Sequence, residues 1–189
     1  WMMQDFASRY YDVPEAEDVK MTFGLPVATL AMMAPVQFNN LMGLQKQNCS
    51  LMEMLGGGYY YVDTYSQDHN RKTNLRVAAK RLAVSMRQYQ IKLLGIMAMD
   101  VKSEAAKEAY QVYVDANDQL EGIVVLQYSP YAGGEGEVFW VTNKAGYDIP
   151  VITVKYSLWD RIHEREGSPD FIASKLKEEA QEESFSVVC

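Results

Sequence analysis

Histidine and cysteine are scarce in this chain. Its 189 residues hold two of each, at His69, His163, Cys49 and Cys189. Four such residues, widely separated, make neither a His-rich zinc site nor a disulfide framework, so no metal and no cofactor is expected. With so little histidine and no Gly-x-Ser-x-Gly elbow, a Ser-His-Asp triad has little support. Positive charge is short as well: 18 Lys and Arg stand against 25 Asp and Glu, a net charge of −7. A phosphate backbone needs clustered cations, so this balance argues against nucleic acid as a partner. Basic residues do gather at Arg71, Lys72, Arg76, Lys80, Arg81 and Arg87. Their segment carries helical apolar spacing, which fits a solvated helix face. No window holds the roughly 18 consecutive apolar residues of a membrane span, and no basic-then-apolar leader opens the chain.

What is present is a rhythm of short apolar runs and amphipathic helices. Val19 to Phe23, Ser50 to Leu55, "KLLGIMAMD", Gly122 to Gln127, "PVITVKYSLW" and "SFSVV" read as six strands. Between them, residues 27–47 carry helical spacing interrupted by Pro35. Residues 70–90 place Leu75, Ala78, Ala79, Leu82, Met86 and Tyr89 on one stripe. Ser103 and Ser168-Pro169 read as the caps of two later helices. Residues 129–148 break the rhythm with Gly133, Gly134, Gly136 and Gly146 around "EVFWVTN", and read as an inserted hairpin. Strands apolar on both faces, alternating with helices, predict a parallel sheet in a single α/β domain. A (β/α)8 barrel, incomplete in this chain, is the favoured architecture, with an open parallel sheet as the alternative. The chain opens on Trp1 inside a helical stretch and closes on Ser186-Val187-Val188-Cys189, so it is expected to be a piece of a longer protein.

In parallel α/β folds the chemistry sits at the C-terminal ends of the strands. That rule selects residues 56–63, "GGGYYYVD", then Asp100, then Gln127-Tyr128, then Trp159-Asp160. The glycine run is not a phosphate loop, because no Lys-Ser/Thr follows it and no helix opens there. Aromatic rings beside carboxylates and amides suit a sugar, whose C–H face packs on rings while its hydroxyls need polar partners. Tyr59, Tyr61, Tyr128 and Trp159 are therefore expected to line a carbohydrate site, with Gln127 bonding hydroxyls and Asp160 and Glu53 also among the substrate-binding residues. Glycosidic hydrolysis takes two carboxyl groups, and Asp100 with Asp63 is the candidate pair. Glu53 lies within a strand and points either into a barrel or at a helix; a carboxylate in either place needs a partner. Each acid also has a plainer reading: a helix cap for Asp100, a turn for Asp63, a solvated loop charge for Asp160.

Taken together, these blocks resemble the GxGYxYP family, which is assigned to glycoside hydrolysis and has a barrel-like C-terminal domain. The signature is carried by Gly56-Gly57-Gly58-Tyr59-Tyr60-Tyr61, with Val62 where the family has proline. "MTFGLPVATLAMMAPVQFNNLM", "LQYSPYAGG", "FWVTN" and "IPVITVKYSLW" are similar to blocks around it. The resemblance implies a hydrolase acting on a polysaccharide or glycoconjugate, located outside the cytoplasm. It also implies an acidic strand end upstream of Trp1, in a missing N-terminal part of the same chain that would complete the site. A carbohydrate-binding domain without turnover is the competing expectation.

Overall fold

The computed structural model describes residues 13–14, 21–43, 49–54, 58–66, 69–158, 167–180 and 186–189. Strand β1 (Met21–Leu25) is followed by helices α1 (Val27–Met33) and α2 (Pro35–Gly43). Pro35 divides the two, since a proline inside a helix removes a backbone donor and clashes with the preceding turn. Strand β2 (Cys49–Met54), helix α3 (Arg71–Gln88), strand β3 (Leu93–Ala98), helix α4 (Glu104–Ala116) and strand β4 (Gly122–Gln127) come next. Two adjacent strands, β5 (Val138–Thr142) and β6 (Asp148–Thr153), precede the final helix α5 (Pro169–Glu179). The expected caps are in place: Ser103 accepts the N–H of Ala106, and Ser168 accepts that of Phe171 with Pro169 behind it.

One six-stranded sheet runs in the order β1-β2-β3-β4-β6-β5. All pairs are parallel except β5 with β6. Among the described residues the sheet is open, with β1 and β5 at its edges, so an open mixed α/β sheet fits and no closed ring of strands is formed. The hairpin expected over 129–148 is shifted: β5 and β6 make it across the turn at 143–147, while 129–137 forms an irregular loop. Of the expected last strand, the described part contributes a single parallel bridge between Val188 and Tyr156.

Alternation along each strand sorts the sheet into two faces. Leu51, Leu94, Ile96, Ala98, Ile123, Val125 and Val151 are buried, and they form one cluster with Leu75, Ala79, Leu82 and Met86 of α3 and with Ala106, Ala109, Tyr110, Tyr113 and Val114 of α4. The opposite face is also apolar but carries no helix among the described residues. There Met52, Met54, Val124 and Leu126 line a groove of about 440 Å³ shared with Ser186–Cys189.

A tyrosine-lined candidate site at the strand ends

The stretch after β2 continues as an extended segment beside β3. Tyr61 bridges Met97 in parallel, and the N–H of Val62 donates to the Met97 carbonyl at 2.8 Å. Alternation then sends Tyr60 and Val62 to the helix side and Tyr59 and Tyr61 to the other. Val62 is fully buried, and the Tyr60 hydroxyl meets that of Tyr113 on α4. On the far side of β3, the N–H of Tyr128 donates to the Ala98 carbonyl at 2.8 Å.

The result is a row of rings along the rim. Centroids are 5.7 Å apart for Tyr59–Tyr61, 5.2 Å for Tyr61–Tyr128 and 6.1 Å for Tyr128–Tyr131, within the range of favourable edge-to-face and tilted contacts. The hydroxyls of Tyr59 and Tyr61 lie 3.2 Å apart. That hydrogen bond is the main reason the Tyr61 phenol is pushed up to about 12, so it stays protonated at physiological pH. Tyr59 and Tyr131 wall a cleft of about 230 Å³ whose floor holds Met97 and Leu126, with Ser157 and Cys189 beside them.

The two candidate carboxylates meet at the same rim, although neither lines this cleft. Asp63 accepts the N–H of Met99 with both oxygens at 3.0 Å, and that of Asp100 at 2.9 Å. Hydrogen bonds to an ionised acceptor are the stronger kind. Asp100 is exposed; its Oδ1 takes the N–H of Lys102 at 2.9 Å, while Oδ2 has no hydrogen-bond partner among the described residues. Gln127 is turned toward the protein, its Oε1 accepting the Val101 N–H at 3.4 Å. Glu53 is 0% exposed and lies under α1, where it accepts the N–H of Ala28 at 3.3 Å. It therefore sits on the helix side of the sheet with Tyr60, on which its charge acts, and not on the side of the tyrosine row. Trp159, Asp160, Gly56 and Gly57 lie outside the described residues.

Sequence reasoning missed several contributors. Met97 and Leu126 could have been found by following alternation down β3 and β4 to the same side as Tyr61. The sequence pattern places Arg71 on a solvated helix face. Instead it bonds the carbonyls of Val62 at 2.6 Å and Ala105 at 2.9 Å, and pairs with Glu108 at 2.8 Å. Nothing in the spacing of α3 marks that position. The acids of the 129–137 loop are engaged by Lys102, which lies 2.8 Å from Glu137 and 4.0 Å from Glu135. Two non-glycine residues of the 129–137 loop have positive φ, Ser129 at 40° and Glu135 at 59°; such conformations are found at functional sites.

The sequence matches no family model and no curated protein. A solved structure does match: a protein of Bacteroides thetaiotaomicron called "a putative hydrolase", at a TM-score of 0.70 and 16% identity. The match covers 93% of this chain and 31% of that one, so the chain spans about a third of the length of its structural neighbour. Likeness at this identity establishes a shared fold. It leaves the chemistry to be argued from the site.

Proposed function

We propose that the domain binds a glycan along the tyrosine row and hydrolyses a glycosidic bond, with Asp100 as the acting carboxyl. The observation that carries this reading is the row Tyr59-Tyr61-Tyr128-Tyr131, held at the C-terminal ends of parallel strands, the same end of the sheet at which Asp100 is exposed. Rings offer an apolar plane for a sugar's C–H face, and their hydroxyls offer polar partners at its edge. The hydrolase label of the distant structural neighbour agrees in reaction class. The second carboxyl that hydrolysis requires is supplied by Asp63 or by a residue upstream of Trp1. Trp159 and Asp160 are assigned to substrate binding from their place in the sequence after β6. The helix-free apolar face with Met52 and Met54 supports reading the sheet as part of a (β/α)8 wall, and an exported glycan-degrading enzyme would act outside the cytoplasm.

The test is a hydrolysis and binding screen of the intact protein against a glycan panel, repeated with Asp100→Asn. Loss of turnover with binding retained supports the assignment. Undiminished turnover removes Asp100 from the mechanism. A second reading, glycan binding without turnover, is favoured by one observation: Asp63 spends both of its oxygens on backbone N–H groups. Glycan binding by wild-type protein with no hydrolysis of any bound glycan would select it.

A further inference from the structure

The loop that follows β3 has its backbone polar groups tied down almost one by one. Asp63 takes the N–H groups of Met99 and Asp100. The Tyr110 hydroxyl donates to the carbonyl of Val101 at 2.8 Å, and Gln127 accepts the N–H of the same residue at 3.4 Å. Ser103 donates to the Asp100 carbonyl at 2.8 Å, and Asp100 itself accepts the N–H of Lys102. Of these partners, Asp63 is the one that arrives from another strand's loop carrying a charge. Its own backbone is anchored next door, where Arg71 bonds the Val62 carbonyl while the Val62 N–H is held by Met97.

We infer that Asp63 is a positioning residue: it acts on the reaction through Asp100, by fixing the loop from which Asp100 projects. This rests on the reading of Asp100 as the acting carboxyl. Of the two sources named above for the second carboxyl it removes Asp63, whose oxygens are both engaged by backbone N–H groups. A free loop end would let the Asp100 carboxyl wander, and a misplacement of about 1 Å costs roughly a hundredfold in rate. A carboxylate suits the task because one group, with acceptor positions on both oxygens, can bind two successive N–H donors. The amide of Asn would keep one acceptor oxygen and, whichever way it is turned, aim its NH2 donor at the Met99 N–H, which now faces both carboxylate oxygens.

Amide hydrogen exchange and kinetics on the intact protein separate the alternatives. In Asp63→Asn, the Met99 and Asp100 amides are expected to exchange at least about tenfold faster, with the amides of β3 unchanged. On a glycan that the wild type hydrolyses, kcat is expected to fall about a hundredfold with KM within about threefold, and Asp63→Glu to recover part of it. Adding Asp63→Asn to Asp100→Asn should cost nothing further, because the two act as a unit. Unchanged exchange at Met99 and Asp100 overturns the clamp, with or without a substrate in hand. Faster exchange with an undiminished kcat overturns the positioning role. A loss in the Asp100→Asn background as large as in the wild type shows that Asp63 acts on its own. Full turnover in Asp100→Asn alone overturns the functional reading and leaves the exchange result to decide the clamp.

Discussion

The carboxylate of Glu53 accepts the backbone N–H of Ala28 at 3.3 Å, while its Oε1 is buried without a partner among the described residues. Burial raises its pKa from 4.5 to about 7, and the N–H groups of Ala28 and Val27 offset only part of that. The folded state therefore holds a proton that the unfolded chain releases near pH 4.5. Between pH 4.5 and 7 the unfolded state binds fewer protons, so stability falls as pH rises through that window. A shift of this size corresponds to roughly 3 kcal/mol lost by pH 8. Glu53→Gln is expected to abolish this loss. Urea unfolding at pH 5 and pH 8 measures it, and a pH dependence equal to that of the wild type would refute the account.

Tyr61 is expected to contribute to ligand binding far more than to folding. It is half-buried, and its contacts are with the other rim tyrosines. Tyr61→Ala should leave stability within about 0.5 kcal/mol yet weaken glycan affinity about tenfold, which is about 1.4 kcal/mol. Calorimetric titration beside thermal melting reads both quantities. Equal affinity in the two proteins would remove the row from the binding site.

The Tyr59–Tyr61 hydroxyl pair makes a prediction that needs no ligand. The Tyr61 phenol sits near 12 chiefly because of its bond with Tyr59, and the neighbouring Tyr128 and Tyr131 raise it further. Tyr59→Phe removes the first cause and should bring one phenol's ionisation down toward 10. Alkaline titration followed by near-ultraviolet absorbance would show it. No change in the curve beyond the loss of one tyrosine would mean that the bond is not formed in solution.

Much of this was legible because the sequence writes its periods clearly. Apolar runs such as Leu93–Ala98 and Gly122–Gln127 have no polar side to mislead, and Ser103 and Ser168 announce the helices they cap. Pairing is harder to read. β5 lies antiparallel at the edge because the five residues 143–147 join it to β6, while "EVFWVTN" alone does not say which strand it joins. Barrel and open sheet share the same local pattern, since closure depends on strand pairs far apart in sequence. At the site, the position of Tyr59 and Tyr61 followed from strand-end logic and alternation. The roles of Asp63 and Arg71 did not, because each is defined by backbone atoms of a different loop.

Gly134 and Gly95 should differ sharply when replaced by alanine. At Gly134 a Cβ would overlap the Cβ of Thr153. Thr153 is fully buried and fixed by bonds from its Oγ1 to the carbonyls of Gly134 at 2.8 Å and Glu137 at 3.1 Å. At Gly95 the added atom would meet the Met54 Sδ and the Met52 Cε, 2.8 Å away for the latter, both at the flexible ends of side chains. Gly134→Ala is expected to cost about 1–3 kcal/mol, the range of overpacked sites, and Gly95→Ala clearly less. Denaturant melts of the two variants check the order, and a reversed order would show that the 129–137 loop yields more easily than the methionines.

Glu179 ties the C-terminal segment to the sheet, and acid should untie it. The carboxylate lies 2.7 Å from the Lys155 ammonium and accepts the hydroxyls of Ser186 and Tyr156. Those partners, Lys155 first, hold it near 2 against an ordinary 4.5. With the folded value below the unfolded one, its contribution is complete above about pH 4.5 and is lost as pH falls toward 2. The segment it anchors also bonds the backbone, with the Lys155 N–H donating to Val187 at 3.0 Å and the Leu158 N–H to Cys189 at 2.7 Å. Release should therefore appear as lost amide protection, measured against the intrinsic exchange rate at each pH, at Lys155 and Leu158 below pH 4, with Ile123 and Val125 in the central strand unaffected. Glu179→Gln should produce the same local loosening at neutral pH and abolish its further growth on acidification. Unchanged protection at Lys155 and Leu158 in that variant would assign the docking of the segment to its backbone bonds alone.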